Sequence, residues 1–365
     1  MTAERTAPAR ADLDPAEVGA FAFQVWSYKQ GEVVSLMIHL GQRLGLYGVL
    51  AGAGARSAAD VASRASLDER WVREWLSGQA AAGLLVRHDD ATFELTGPGA
   101  AVLADEGGSL AYAGGAFTSP PTSPESIDAL VEGFRTGIGP TYERHGPAVA
   151  LHVDAMLGPW ARLALVPTVL PALNGVVAKL ESGATVADVG CGGGTALLAM
   201  ADAFPASTFI GYDSSRHAVD LAEANLASHR GASVTFRLAD GATLPPEPTF
   251  DLVLSFDCLH DMTDPLGVAR AIRAAIDADG VWLIKDIRCG ETWEENQANP
   301  MLAMMYGFSV QSCLASATSE PGGAALGTLG LPPSRMEELC RDAGFTRFEV
   351  RDFDEPANLY YEVRP

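Results

Sequence analysis

The chain of 365 residues is 48 % hydrophobic and 19 % charged, long enough for two domains and too apolar for a disordered tail protein or a coiled coil. Its 25 Lys and Arg stand against 46 Asp and Glu, a net charge of −21; such a surface repels phosphate backbones and anionic membranes, so neither nucleic acid nor membrane is an expected partner. No run approaches the ~18 consecutive apolar residues of a membrane span, and the N-terminus lacks the apolar block of a secretory signal.

Residues 1–17, rich in Ala, Arg and Asp, read as a flexible arm. From about Ala20 to Gly48, Phe21, Val25, Val33, Leu36, Met37, Leu40, Leu44 and Leu46 recur at helical spacing. Ser57 can cap a short helix carrying Val61 and Ala65, and Asp68 opens another with Trp71, Val72, Trp75 and Leu76. LLV, a polar tip at His88–Asp90 and TFEL then read as a two-stranded hairpin. Helix, helix, hairpin is the order of a winged helix-turn-helix, here over 18–108. Its recognition helix is expected to present Trp71 and Trp75 with Glu69 and Glu74 rather than a basic face, which predicts a packing and dimerisation module and not a DNA reader.

Residues 109–182 read as a helical connector punctuated at Pro120–Pro121, Gly137–Pro140 and Gly146–Pro147. From Ala184 onward β-rich runs (ATVADVG, STFIGYD, SVTFRLAD, FDLVLSF, VWLIKDI) alternate with amphipathic helical runs. That alternation predicts βαβ units and a parallel sheet buried on both faces, a Rossmann-like α/β domain over 183–365. Residues 288–332 interrupt it, as a lid or substrate insertion would. Their apolar stripe of Met301, Met304, Met305, Tyr306, Phe308 and Val310 suits a pocket wall, plain core or a dimer contact. A helix at Ser334–Ala343 and the strands FTRFEVRDF and NLYYEVR predict a terminal antiparallel hairpin.

The segment Val186-Ala187-Asp188-Val189-Gly190-Cys191-Gly192-Gly193-Gly194 ends the first strand of this domain and opens a helix. Glycines there let the backbone turn sharply and approach a ligand. A nicotinamide fingerprint requires Gly or Ala three positions after its second glycine; counting from Gly192, that place is Thr195. The tight GxGGG spacing suits a loop that wraps an amino-acid moiety. Asp213, at the tip of the next strand and ~20 residues on, is placed to accept from both ribose hydroxyls. Asp240-Gly241 closes the third strand, where a carboxylate can accept from an adenine amino group. The fourth strand ends at Asp257 and Cys258, beside the crevice at the carboxyl edge of the sheet. Singly, Asp213 reads equally as a helix cap and Asp240 as a turn residue. Four such elements in order on consecutive strand ends point to one adenosyl ligand.

Over residues 184–365 these elements resemble the successive motifs of class I S-adenosylmethionine-dependent methyltransferases. With the winged-helix segment in front, the chain is similar to bacterial small-molecule O-methyltransferases, whose N-terminal domain serves dimerisation. The resemblance implies S-adenosylmethionine as cofactor: the backbone around Gly190, Gly192 and Gly194 would hold its methionine part, Asp213 the ribose, and Asp240 with Gly241 the adenine, with Asp188 and Asp257 in the same site. It implies a homodimer and a small-molecule acceptor; no cluster of metal ligands is visible in the sequence, so no metal is expected and the compartment expected is the cytoplasm. The five cysteines (Cys191, Cys258, Cys289, Cys313, Cys340) lack CxxC spacing, in keeping with a reducing compartment.

In plant-type O-methyltransferases a His-Asp pair followed by Trp stands where this chain has His260-Asp261-Met262, and the histidine removes the acceptor hydroxyl's proton. The resemblance thus implies His260, with Asp261 beside it, as the catalytic pair; Met262 departs from the pattern. Full proton transfer from a phenol to an ordinary imidazole is uphill by roughly 5 kcal/mol, which coupling to methyl transfer reduces. The alternative places His260 as a cap of the helix beginning near Asp264. Lys285-Asp286 either faces the acceptor pocket or closes its strand as an ion pair, and Tyr142 with His145 could roof the cofactor. Rival readings are an N- or C-methyltransferase on the same scaffold, a cofactor-sensing winged-helix regulator, and a nicotinamide-dependent oxidoreductase.

Overall fold

Asp14 accepts a hydrogen bond from the Ala16 N–H and Pro15 occupies the first turn, so helix α1 (Pro15–Arg43) begins inside the stretch read as an arm. The computed structural model describes residues 13–118, 122–229, 233–247 and 249–365; the arm's first 12 residues lie outside them. The chain divides between Asp105 and Glu106 into two units, so the helical connector belongs to the second.

In the first unit, Gly45 in the left-handed conformation separates α1 from α2 (Leu46–Leu50). Ser57 and Asp68 cap α3 (Ala58–Ala65) and α4 (Glu69–Ala81) as the sequence suggests. β1 (Val86–Arg87) pairs antiparallel with β2 (Phe93–Glu94), and α5 (Gly97–Leu103) follows. Leu46, Tyr47, Leu50, Val61, Val72 and Leu76 form its core. Trp75 is also buried, its Nε1–H donating to the Met37 carbonyl at 2.8 Å. The outer face of α4 therefore presents Trp71 alone, which corrects the expected Trp71–Trp75 pair. Helix α1 buries only Ile38, His39 and Gly41, while Phe21, Phe23, Trp26 and Tyr28 are exposed.

The second unit opens with α6 (Pro124–Thr136) and α7 (Pro147–Trp160), which continues through a π-helical stretch, Ala161–Val169. The helical run Pro147–Ala172 has the length and mean hydropathy (1.3) of a membrane-crossing helix. Asp154, Pro159 and Arg162 interrupt it, so it contains no long unbroken apolar run. Its Leu165, Val169 and Leu170 are packed into the core beside the sheet.

After α8 (Val176–Ser182), strands and helices alternate: β3 (Thr185–Val189), α9 (Thr195–Ala203), β4 (Thr208–Asp213), α10 (Arg216–Leu226), β5 (Val234–Leu238), β6 (Phe250–Phe256), α11 (Pro265–Ala275) and β7 (Ile276–Ile287). The insertion folds as α12 (Trp293–Asn296), α13 (Leu302–Phe308), a π turn at Ser309–Cys313 and α14 (Leu314–Ala317). Then come α15 (Pro333–Asp342), β8 (Arg347–Arg351) and β9 (Asn358–Arg364). The sheet order is β5-β4-β3-β6-β7-β9-β8. Its first five strands are parallel, and β9 runs antiparallel to both neighbours. This is the Rossmann-like sheet with the terminal hairpin. The winding direction reverses between β3 and β6, where an open α/β sheet leaves a crevice at its carboxyl edge. The insertion is tied across that edge: Gly139 N–H donates to the Thr318 carbonyl at 3.2 Å, and Ala324 N–H to the Thr263 carbonyl at 2.8 Å.

Candidate cofactor site and catalytic dyad

The glycine loop follows β3, and three of its four glycines are spoken for by packing. A Cβ at Gly190 would lie 2.8 Å from Cβ and Sγ of Cys258; one at Gly193 would meet the Asp154 carboxylate, and one at Gly194 the Phe236 ring. Gly192 differs: its φ is +53° and nothing stands where its side chain would be. The backbone there is bare and open, as close approach by a ligand requires.

Asp213, at the tip of β4, is wired into the same loop. Its Oδ2 accepts from the Gly192 N–H at 2.9 Å and its Oδ1 from the Ser215 N–H at 2.8 Å, leaving further lone pairs for ribose hydroxyls. Burial raises its pKa, against the pull of those two N–H groups. Asp188 is 2 % exposed, and its Oδ1 has no hydrogen-bond partner. Burial, reinforced by the charge of Asp213, pushes its carboxyl up to about 8. An unsatisfied acid beside an open glycine fits a ligand carrying ammonium and sulfonium charge.

Asp240 is exposed and caps the turn Gly241–Thr243 through the Ala242 N–H at 2.8 Å. A Cβ at Gly241 would come within 2.6 Å of Val189 Cγ1, so only glycine lets this turn close on β3. Asp257 has φ +53°, and its two carboxylate oxygens accept from Lys285 Nζ and Asn358 Nδ2. Lys285 lies 4.8 Å over the Trp160 ring and is 2 % exposed. Both oxygens of Asp257 thus have protein partners already, unlike Oδ1 of Asp188.

His260 stands on the turn Leu259–Asp261 after β6 and is 3 % exposed. It caps no helix, because Asp264 does that for α11 through the Gly267 N–H at 2.8 Å. Its Nδ1 lies 2.6 Å from Asp286 Oδ1. Lys285 and Asp286, adjacent on a strand, point to opposite faces and bond to Asp257 and His260 respectively. The idea that they close the strand as a mutual pair is therefore corrected. Burial disfavours charge on His260, but the charge and hydrogen bond of Asp286 outweigh it, with help from Cys313, and hold the imidazole well above its usual range. With Nδ1–H directed at the carboxylate, Nε2 is the nitrogen left to take a proton. Asp261 is pushed up to about 7 by burial, opposed by His260 and reinforced by Asp286, Asp213 and Asp257.

Tyr142 joins these parts. Burial raises its phenol, as do the charges of Asp261 and Asp213. Its ring meets His145 edge to face at 5.6 Å. Between them Glu143 accepts from the Ser215 hydroxyl at 2.6 Å, pinning the turn onto the start of α10. Asp154, on α7, was not singled out in the sequence. It accepts from the Thr195 hydroxyl and, at 3.4 Å, from Asn225 Nδ2, bracing the glycine loop. Its only signal was an acid in the middle of an apolar helix. Gly192, Asp188, Asp213, Asp261 and His260 thus gather at the β3/β6 edge. Asp240 follows β5 on the turn that closes on the end of β3, and Asp257 is held by its partners.

Comparison with known proteins identifies both domains. Residues 180–329 match the model of a methyltransferase domain, and residues 32–104 that of an Rv2258c-like winged HTH domain. A trans-aconitate 2-methyltransferase of Methylobacterium radiotolerans is 28 % identical over 166 residues, 45 % of this chain and 58 % of that protein; the match thus spans little more than half of the curated relative. The mitomycin 7-O-methyltransferase MmcR superposes with a TM-score of 0.67 at 20 % identity, covering 96 % of this chain and 100 % of that one. Human N-acetylserotonin methyltransferase, solved in complex with S-adenosylmethionine, gives 0.66 at 17 % identity over 98 % and 99 % of the two chains. The chain thus joins a methyltransferase domain to an N-terminal winged-helix domain, and its fold is that of the S-adenosylmethionine-dependent methyltransferases.

Proposed function

We propose that the protein methylates a hydroxyl oxygen of an uncharged small molecule, with His260 as general base, and that it works as a cytoplasmic homodimer. The observation that carries this reading is the buried His260–Asp286 pair beside the glycine loop. S-adenosylmethionine supplies an electrophilic methyl group on a sulfonium. The residues that would hold it are the open backbone at Gly192 together with Asp188 and Asp213, and Asp240 with Gly241 is proposed for the adenine end. What the protein adds is alignment, exclusion of water and a place for the acceptor's proton. A histidine held above its ordinary pKa narrows the uphill gap to a phenol. Amine and carboxylate acceptors have no such need.

The charge of the acceptor is read from the insertion. Residues 288–332 carry a single basic residue, Arg288, which is paired with Asp352, and Lys285 is engaged by Asp257. A polycarboxylate of the kind named for the trans-aconitate enzyme would find His260 as the one cation, among the described residues, beside Asp188, Asp213 and Asp261, so an uncharged hydroxyl compound suits this pocket better. The dimer is supported by the exposed aromatic face of α1, and the acidic surface argues against nucleic acid and membrane partners. The test is transfer of labelled methyl from S-adenosylmethionine to matched phenol, carboxylate and amine acceptors by wild type and His260→Ala. The reading expects the phenol to be preferred and the substitution to lower kcat by about 10²–10⁴. Preference for the carboxylate, or a loss below about tenfold, overturns it.

A further inference from the structure

We propose that Tyr361 is a positioning residue for the base: its hydroxyl, across one bridging water, is linked to Oδ2 of Asp286 and so fixes the carboxylate that orients His260. This rests on the base role proposed above. In the β7/β9 ladder Leu359 is the partner of Asp286, and Tyr361 that of Ile284. Tyr361 and Asp286 therefore occupy diagonal positions on one face of an antiparallel pair, within reach of an aromatic side chain. Both are sealed from solvent, at 0 % and 1 % exposure. Asp286 Oδ1 is fully used, accepting from His260 and from the Ile287 N–H at 2.7 Å. Its Oδ2, and the hydroxyl oxygen of Tyr361, each lack a protein partner. A buried donor and a buried acceptor on the same face each carry a desolvation cost that joining them removes.

The phenol is suited to donate. Burial, and then the negative charge of Asp286, hold its pKa above the usual range, so the proton stays on oxygen. Cys289, Arg288 and Cys340 are the other titratable or charged groups around it, and Arg288 is paired with Asp352 at 2.6 Å. Around His260 stand Asp286 and Cys289 from β7 and its continuation, Cys313 from the insertion, and Asp261 from its own turn. The ring of Tyr361 stacks on Phe348 at 5.2 Å, which fixes where the hydroxyl points. A donor on Oδ2 holds the carboxylate plane so that Oδ1 faces Nδ1, and it draws off part of the charge that raises the His260 pKa.

The experiment is an NMR titration of His260 in ¹⁵N-histidine-labelled protein, which needs no acceptor and no turnover. Tyr361→Phe keeps the ring and removes the donor; the midpoint of His260 should rise by about half a pH unit or more. Phe348→Leu loosens the packing that aims the hydroxyl but keeps the donor, and should move the midpoint by less. Should Tyr361→Phe fold poorly, 3-fluorotyrosine placed at position 361 alone, a stronger donor of nearly the same shape, should lower the midpoint. An unchanged midpoint in a folded Tyr361→Phe, or equal shifts with Phe348→Leu, overturns the proposal. Failure of the base reading shows separately, as retained turnover in His260→Ala with the Tyr361 effect on titration intact.

Discussion

An imidazole held above its ordinary pKa is protonated at neutral pH and becomes a base only as that proton leaves. The methyl-transfer rate should therefore climb with pH above neutrality, and Asp286→Asn, which removes the charge that raises His260, should move this limb to lower pH while lowering its plateau. An unmoved limb would show that another group controls it. The buried acids make a second prediction. Asp188 at about 8 and Asp261 at about 7 are both raised from 3.8, so the folded state holds protons that the unfolded chain releases near pH 4. Their contribution to stability is fully present below that and is lost as pH rises through 7 and 8; the raised His260 has the same sign. The ligand-free protein should melt several degrees lower at pH 8 than at pH 5, and Asp188→Asn should flatten the difference, as calorimetry can check. Much of this chemistry was legible locally: Asp213 and His260 stand next to motifs that name them. Asp286 is separated from its neighbour Lys285 by strand alternation, which sends the two side chains to different partners. Asp154 and Tyr361 reach their partners only through tertiary packing.

The glycine loop was readable because its requirement is local: positive φ and close approach leave no other residue type. The structure divides the labour within it. Gly190→Ala must fit a Cβ against Cys258 as well as adopt a left-handed backbone, whereas Gly192→Ala bears the conformational cost alone, about 1–2 kcal/mol. Thermal melts should show the larger loss for Gly190→Ala. Gly192→Ala should fold and yet bind S-adenosylhomocysteine at least about tenfold more weakly, since its new methyl enters the space left for ligand. Equal affinity to wild type would remove Gly192 from the site. The insertion is the counter-example. Its apolar stripe fitted wall, core or dimer contact alike, and in the structure Met301, Met304, Tyr306 and Phe308 stay between 42 % and 47 % exposed. Periodicity identifies a face but not what covers it.

Across the molecule, the order of the units followed from the change of period at Ala184, because a parallel sheet must alternate strand and crossover helix. The topological switch between β3 and β6 then decides where the strand-tip acids gather. The sequence signalled α1 as amphipathic, but it did not reveal that most of the helix is left uncovered. With Phe23 and Trp26 at 78 % and 71 % exposure, sedimentation should find a dimer, and Phe23→Glu with Trp26→Glu should give a monomer; a wild-type monomer would contradict the dimer. The claim on which the site, the base and the acceptor all depend is that the glycine loop and strand-tip acids hold an adenosyl amino acid. Titration calorimetry with S-adenosylhomocysteine tests it directly. The account predicts saturable binding at one site per chain, weakened at least about tenfold by Asp213→Asn; no heat with this ligand, alongside saturation by a nicotinamide dinucleotide, would contradict it.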